Sequence, residues 1–359
     1  MAKNTRAGGL LTLNPSPRRW RVALQAGLAM ALPLIGATLL GVPEAGLMVS
    51  MGAFTAVYYP ARPIRQRLRL LAIVGAGFFL AGVLGVLAAA SALTLALGLA
   101  GVGIAAAILA QRFRMGPPGA MMFALVFGAC SHLTAPAELG GAGIAGGVLL
   151  PRLLLGIVLS WIIVAAPLAV PSFRRRSRAA ETLTANGTPP IVPGGEPWSA
   201  DERIVALRMV IAVVLGTVAA AYSGTGHGYW IVCTSLAVLA VGSSLRHAVN
   251  RGVHRLVGTF VGIGVYLLLA LWSPHGLVLA VVLGVLQFLI EMIVARNYAL
   301  ALVVITPLAL TIAGQAASTD VTALVTERFL HTALGGVVAL VAVLLTRVRG
   351  ARSRRPFRG

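Results

Sequence analysis

Charged residues that precede or interrupt apolar stretches are the part of this sequence that could do chemistry. Arg152 and Arg328 each stand ahead of a long apolar run, and the two runs end at Val170 and Thr346. Because a guanidinium that faces lipid is costly, each arginine should face protein or water. Arginines at the outer mouth of a pore attract anions. The alternatives are an arginine that snorkels to the membrane surface and a salt bridge between Arg328 and Glu327 or a loop acid.

Three further residues could bind a proton that is coupled to movement of another solute. Glu291 is the acid that falls within an apolar span, and a membrane-buried carboxylate is a candidate proton carrier. The alternative is a structural ion pair with Arg296 or Arg251. Glu327 and His331 stand one turn apart on one helix face, which could make a pH-sensitive cluster. The alternative there is a hydrogen-bonded structural histidine.

Residues 296–307 could bind a carboxylate or shape its path. Arg296 stands beside Asn297 and Tyr298, and the fork of N–H donors on an arginine matches a carboxylate. Ordinary positive charge at the cytoplasmic surface is the alternative for Arg296. Thr306-Pro307 interrupts backbone hydrogen bonding near the middle of the next span. This kink could line a pathway or serve packing alone.

The composition is that of a membrane protein. The chain has 359 residues, of which 58% are hydrophobic and 11% charged, and its mean hydropathy is +0.92. A soluble domain has about a quarter charged residues, so the bilayer must solvate the apolar excess. The net charge is +20, but the cations stand in short loops, the linker and the tails. This is the positive-inside pattern, and no nucleic-acid partner is expected.

Signatures of catalysis are absent from the sequence. Cys130 and Cys233 both fall inside apolar runs, which argues against a disulfide framework or a zinc site. No GxxxxGK[ST], HExxH or GxSxG pattern occurs, and no paired intramembrane acid and base is found. We therefore expect no enzymatic activity, no cofactor and no metal.

The apolar runs predict an all-α polytopic membrane protein with about twelve transmembrane helices. Inner loops are basic and outer turns are not, so both termini are predicted to be cytoplasmic. Three spans are short and could be tilted or re-entrant: the span at 46–59, the span that ends near 131 and the span at 229–241. Six aromatic residues near span ends are interpreted as interface anchors: Trp20, Tyr58, Tyr59, Tyr229, Trp230 and Trp272. The predicted domains are a cytoplasmic N-terminal segment (1–21), a first six-helix membrane repeat (22–170), a flexible basic cytoplasmic linker (171–202), a second six-helix membrane repeat (203–346) and a basic cytoplasmic tail (347–359).

The two halves align with each other at an offset of 183 residues, since Gly41 matches Gly224 and Gly75 matches Gly258. Because each half has an even number of spans, the halves are predicted to be parallel repeats with the same orientation. A pathway would then lie on the surface between them.

A series of motifs runs through the second half. It consists of Gly228-Tyr229-Trp230, Arg255 with Gly258-Thr259 and Gly262, Arg296-Asn297-Tyr298, Thr306-Pro307, Glu327-Arg328 and Gly335-Gly336. In this order and spacing the half resembles the fusaric-acid-resistance-type integral membrane transporters of the aromatic acid exporter superfamily. The first half resembles the same unit only weakly, with Ala45-Gly46-Leu47 in place of Gly-Tyr-Trp.

The resemblance implies a multi-pass transporter of the bacterial plasma (inner) membrane that exports aromatic carboxylic acids or other organic anions. We expect the proton gradient to drive it. The family is distantly similar to the plant aluminium-activated malate channels, in which two six-span subunits form one anion pathway lined by arginines. The alternatives are a passive anion channel and a non-transporting membrane scaffold. The expected partners are an organic anion and the lipid bilayer, with a second copy of the chain or a periplasmic protein as further candidates.

Overall fold

The computed structural model describes residues 15, 19–175, 198–240, 242, 244–317 and 320–352, and this part of the chain is helical without strands. The helices of the first half are α1 (Trp20–Leu39), α2 (Pro43–Ser50), a 3-10 helix (Met51–Val57), α3 (Ile64–Ala88), α4 (Ala92–Arg112), α5 (Met121–Thr134) and α6 (Gly146–Ala165). Those of the second half are α7 (Ala200–Tyr222), α8 (Tyr229–Leu239), α9 (Leu245–Trp272), α10 (Gly276–Ile293), α11 (Tyr298–Ala317) and α12 (Val321–Arg352). Most of the predicted N-terminal segment and linker, and part of the tail, lie outside the described residues.

Helix length separates two classes of element. Nine helices of the described chain are long and apolar enough to cross a membrane, which confirms the prediction of an all-α multi-pass membrane protein. The short ones are α2, α5 and α8, at the three places where the sequence predicts short spans. With 11 residues, α8 is about 16 Å long, roughly half of a ~30 Å hydrocarbon core.

Two helices begin earlier than the apolar runs indicate, because polar residues cap them. Ser244 accepts a hydrogen bond from the His247 N–H (3.2 Å), so the cationic stretch after it is part of α9. Asp320 likewise accepts from the Ala323 N–H (3.0 Å) at the start of α12. Arg328 therefore lies about two turns inside its helix. The prediction that it begins the last span is wrong.

The main helix contacts of the two halves correspond in pairs. In the first half α1 packs on α2 and α6, and α3 packs on α5 and α6; in the second, α7 packs on α8 and α12, and α9 packs on α11 and α12. The halves meet through α1 against α10 and through α4 against α7. Between these two interfaces α2 contacts α11, and α5 contacts α8. The short helices thus lie in the middle of the bundle.

Glycine allows the closest helix crossings. A Cβ at Gly262 of α9 would lie 2.7 Å from the Thr306 Cβ of α11, and one at Gly258 would meet the Ala299 carbonyl. A Cβ at Gly264 would meet nothing within 4 Å. Small residues at helix crossings are a known device of membrane bundles, and here they hold α9 against α11.

Four of the six aromatic residues predicted to be interface anchors lie in the core instead. Trp230 is 2% exposed, and Tyr58, Tyr59 and Tyr229 are also buried. Trp272, by contrast, is 60% exposed, as expected of an anchor. The difference arises because the segments that carry the four buried rings are surrounded by longer helices, so their side chains point into protein.

Candidate anion-binding site

One face of α8 carries the basic site of the second half. Ala237, Thr234 and Trp230 are spaced three and four residues apart, so they lie one above another on that face. Each of the three contacts one arginine from a neighbouring helix. Because Trp230 and Ala237 are seven residues apart, the contacts span about 10 Å along the axis of α8. We call the arginines Arg251, Arg255 and Arg328 the arginine ladder.

The first two rungs come from α9 and converge on Tyr298, the first residue of α11. Arg251 donates from Nε to the Ala237 carbonyl (3.1 Å), and its guanidinium lies 3.9 Å from the centre of the Tyr298 ring. Arg255 donates from Nε to the Thr234 hydroxyl (3.2 Å) and from Nη1 to the Tyr298 hydroxyl oxygen (2.6 Å). Tyr298 therefore fixes the positions of both guanidiniums.

The third rung comes from α12. The Arg328 guanidinium lies 4.9 Å from the centre of the Trp230 ring. Its Nε is buried without a hydrogen-bond partner. The cation–π contact with the indole is what orients this side chain.

Buried positive charge accumulates along the ladder. Arg255 and Arg328 are 5% and 4% exposed, yet within the described chain no carboxylate forms a salt bridge with any rung. Removing a guanidinium from water costs several kcal/mol unless an opposite charge and hydrogen bonds compensate. A bound anion would supply the missing negative charge.

A cavity of about 220 Å³ adjoins the ladder between the two halves. It is bounded by α2, α5, α8 and α11, and we call it the central cavity. Its walls are mostly apolar, with Met51, Phe54 and Leu125 on one side and Tyr229 and Trp230 on the other. A cavity of about 150 Å³ accommodates benzene, so a small substituted ring fits here. Because Trp230 lines the cavity and also contacts Arg328, the cavity and the ladder are contiguous.

Polar residues cluster at one end of the central cavity. We call this the outer end, after the predicted orientation. His227, in the turn before α8, contacts Glu327 of α12 through Nδ1 and Oε2 (2.8 Å). The ring of His132 from α5 lies 4.1 Å from that of His227, centre to centre. His331 contacts the Thr225 hydroxyl (3.3 Å). The alternative of a salt bridge between Glu327 and Arg328 is wrong, because Glu327 faces His227 and Arg328 faces Trp230.

The predicted site residues separate into two groups. Arg328 belongs to the ladder and Tyr298 contacts it, whereas Glu327 and His331 belong to the outer cluster. Arg296 lies in the turn before α11, outside the ladder. Asn297 accepts a hydrogen bond from the Leu300 N–H (2.9 Å) and caps α11.

Three further predicted pathway residues lie elsewhere. Thr306 is buried at the crossing with Gly262, and α11 continues through Pro307. Arg152 of α6 is half-buried and contacts the Met48 sulphur through Nη1 (3.2 Å). Met48 lines the central cavity, so Arg152 approaches the cavity from the first half.

Glu291 lies at the interface between α10 and α1. Its carboxylate forms a salt bridge with Arg19 at 3.0 Å, and its side chain is 6% exposed. The alternative of an ion pair with Arg296 or Arg251 is wrong, because Glu291 projects from α10 toward the first half. The geometry is that of a structural ion pair between the halves.

Sequence reasoning missed the roles of Arg251, Arg255, His132 and His227 at these sites. Arg251 and Arg255 stand four residues apart in the chain. Their spacing of four residues in α9 places both arginines on one helix face, which was the available signal.

Comparison with known proteins gives a family match that contains the whole ladder. Residues 211–342 match the model of the family described as fusaric acid resistance protein-like. This segment of the chain is similar to the fusaric acid resistance protein-like family. The match includes α8, all three rungs and Tyr298, whereas the first half lies outside it.

A curated relative supports the membrane assignment. The uncharacterized membrane protein YvaC of Bacillus subtilis (strain 168) is 29% identical over 164 residues, which are 44% of this chain and 25% of that protein. The matched region thus spans a quarter of the relative's length. No solved structure matches the chain.

Proposed function

We propose that the protein exports organic anions of the aromatic carboxylic acid type across the bacterial inner membrane, driven by the proton gradient. The observation that carries this proposal is the arginine ladder, which places guanidiniums along α8 with no carboxylate in a salt bridge to them among the described residues. The match of residues 211–342 to the fusaric acid resistance protein-like family supports a transport role for this half.

The adjoining cavity supports the choice of substrate. A carboxylate bound to Arg255 or Arg328 would receive charge-assisted hydrogen bonds from the guanidinium. The remainder of the substrate would lie against Trp230 and Phe54 in the apolar cavity. An aromatic acid has this combination of a charged head and a flat apolar body.

The membrane potential favours the proposed direction. A monovalent anion that leaves a cell with a negative interior gains about 2.3 kcal/mol per 100 mV. The proton gradient includes this potential, and the exporter would also use the chemical gradient of protons. We propose both termini on the cytoplasmic side, because the basic inner segments then obey the positive-inside rule.

The proposal includes two parallel six-helix repeats that act as a fused dimer. Its support is the paired scheme of helix contacts and a pair of salt bridges at the two interfaces between halves. Glu291 near the end of α10 meets Arg19 before α1, and Arg114 after α4 meets Glu202 of α7 at 3.1 Å. The acid lies on α10 in one salt bridge and on α7, the counterpart of α1, in the other. Both salt bridges nevertheless join corresponding helix ends.

A passive anion channel is the second candidate, because a ladder of fixed cations could equally conduct. The two candidates differ in whether an anion moves against its own gradient. Neither requires an enzymatic reaction or a cofactor, and a second copy or a periplasmic protein could accompany either.

Flux measurements on purified protein in lipid vesicles test the proposal. The solutes are benzoate, 4-hydroxybenzoate, succinate and acetate, with protein-free vesicles as the background. We expect the aromatic acids to move fastest and to accumulate against their gradient when a proton gradient is imposed. Flux that only dissipates the gradient would favour the channel, and no flux of any anion would refute the transport function.

The matched variants are Arg328→Gln in the ladder and Arg114→Gln in the exposed salt bridge with Glu202. We expect at least about a tenfold loss of benzoate flux from Arg328→Gln, because a hydrogen bond to a charged group contributes about 1.5–3 kcal/mol. Arg114→Gln should retain wild-type flux. Equal losses in both variants would contradict the assignment of the ladder.

A further inference from the structure

Two cavities meet at one pair of side chains. Besides the central cavity, a second space of about 600 Å³ lies at the outer end, lined by Thr225, Asp320, Glu327 and His331. We call it the outer pocket. Glu327 lines the outer pocket and His227 lines the central cavity. The 2.8 Å contact between their side chains therefore lies in the wall between the two spaces.

Exposure differs across this wall. The Glu327 side chain is 22% exposed, whereas that of His227 is 3% exposed. The carboxylate is thus open to the outer pocket, and the imidazole is sealed from it. A proton that arrives from outside would meet the carboxylate first.

The inner side of the wall contains ring nitrogens without partners. His227 Nε2 and His132 Nε2 are buried and have no hydrogen-bond partner. Buried polar atoms are normally paired, so unpaired ones require an explanation. Among the described residues no group of three His, Cys, Asp or Glu side chains could hold a metal ion. An imidazole nitrogen without a hydrogen-bond partner can take up a proton.

We propose that Glu327 and His227 form the proton-binding site of the transporter and pass protons between the outer pocket and the central cavity. This inference rests on the proposed function, because it supplies the coupling ion for anion export. Chains of acidic residues and histidines carry protons in other membrane pumps and transporters.

The transfer moves one proton in two steps. The Glu327 carboxylate takes a proton from the outer pocket and gives it to His227 Nδ1, which leaves a carboxylate and an imidazolium. The imidazolium then turns about its Cβ–Cγ bond, releases the Nδ1 proton into the central cavity and turns back. The ring is again neutral with its proton on Nε2, so neither side chain is changed at the end of the cycle.

The protonated state also strengthens the wall. A hydrogen bond between imidazolium and carboxylate is charge-assisted and about twice as strong as a neutral one. Proton binding from outside would therefore hold the outer end closed, and loss of the proton would allow an anion to leave. Alternation of proton and anion in this way couples export to proton entry.

The neighbouring groups set the conditions for titration. The imidazole of His227 faces His132 and the Trp230 ring, which stacks on it with centres 4.4 Å apart. His331 and the cation Arg328 lie on the same helix as Glu327. A second proton on His132 or His331 would be opposed by the positive charge on His227, so we expect a single proton per cycle.

The test compares proton and anion movement in vesicles that contain a trapped pH dye, with benzoate as the anion. The variants are His227→Gln and Glu327→Gln, and His275→Gln serves as the control because its ring lies in an exposed outer turn. We expect both site variants to reduce proton movement per benzoate by at least about tenfold. The control should keep the wild-type ratio.

A second readout does not depend on transport. Because Trp230 stacks on His227, protonation of the imidazole should quench the indole fluorescence as pH falls. We expect this quenching in wild-type protein and its loss in His227→Gln and in Trp230→Phe. Benzoate binding, followed by equilibrium titration, should stay within about threefold in Glu327→Gln, because this side chain lines the outer pocket and makes no ladder hydrogen bond.

The outcomes separate the two proposals. Wild-type benzoate flux without proton movement, or unchanged ratios in both site variants, would overturn the proton site and leave anion transport standing. If wild-type protein moves no anion, the transport function fails, and the fluorescence decides the proton site. Quenching that persists in His227→Gln would then overturn it.

Discussion

Arg67 of α3 and Arg251 of α9 occupy corresponding places in the two halves. Each donates a hydrogen bond to the carbonyl of an alanine near the end of the preceding short segment, Ala56 in one half and Ala237 in the other. Arg67 also donates to the Gln25 side-chain oxygen (2.9 Å), and the carboxylate of Glu291 lies near it. Its charge is therefore compensated within the protein.

The environment of Arg251 is different because the second half adds more basic and aromatic residues. Arg255 lies one turn after Arg251 in α9, and Leu71 lies one turn after Arg67 in α3, so Arg255 corresponds to Leu71 in a register one residue away from the sequence offset of 183. Tyr298, which begins α11, corresponds to Met121, which begins α5. The same helix scaffold thus carries a compensated arginine in one half and an uncompensated ladder in the other. Under the proposed function, the first half would support structure and the second half would bind the anion.

The largest effect is expected when Arg255 is converted to its first-half counterpart. Arg255→Leu removes the central rung and two hydrogen bonds, so benzoate flux should fall about a hundredfold. Flux in vesicles is the measurement, and Leu71→Met, a conservative change at the matching position, is the control. A variant that folds, as judged by its thermal midpoint, and transports normally would remove the distinction between the halves.

A smaller effect is expected from Tyr298→Phe. The change removes the hydroxyl that accepts from Arg255 and keeps the ring beneath Arg251. We expect benzoate affinity to weaken about tenfold, because one hydrogen bond to a charged group is lost. Equilibrium titration of benzoate measures this change. Tyr222→Phe, at an exposed site, should leave affinity unaltered.

Glu291→Gln should alter stability more than transport. The substitution leaves Arg19 without its salt-bridge partner at the interface between halves, and breaking a buried pair costs about 3 kcal/mol. We expect a lower thermal midpoint and an unchanged ratio of protons to benzoate. Loss of proton coupling in this variant would instead make Glu291 the proton carrier. A double-mutant cycle with Arg19→Gln isolates the pair.

The smallest effect is expected at the corresponding salt bridge of the other interface. Arg114 is 63% exposed there, so solvent screens its contact with Glu202. Arg114→Gln should leave the thermal midpoint within measurement error. A destabilisation as large as that of Glu291→Gln would show that burial does not distinguish the two interfaces.

The helices could be predicted from the sequence because apolar length alone determines a membrane span. The three short elements were also visible, since their apolar runs are too brief to cross the hydrocarbon core. The burial of Trp230 could not be predicted, because it depends on which longer helices surround α8. Local sequence does not contain that information.

The site could be predicted only in part. Arg328, Tyr298 and Glu327 stand out in sequence because they accompany apolar spans or family motifs. The partner of Glu291 lies 272 residues away in the chain, and the His227–Glu327 contact joins residues 100 apart. Such contacts follow from the packing of α1 on α10 and of α8 on α12, which spacing along the chain does not reveal.

The position of the ladder in one half has a consequence for stoichiometry. A pore formed by two identical subunits presents its charged groups twice around its axis, so two equivalent ions can occupy it. Here the guanidiniums line α8, and the corresponding segment of the other half has a compensated arginine. Each polypeptide should therefore bind one anion at saturation, at a point displaced from the axis that relates its halves.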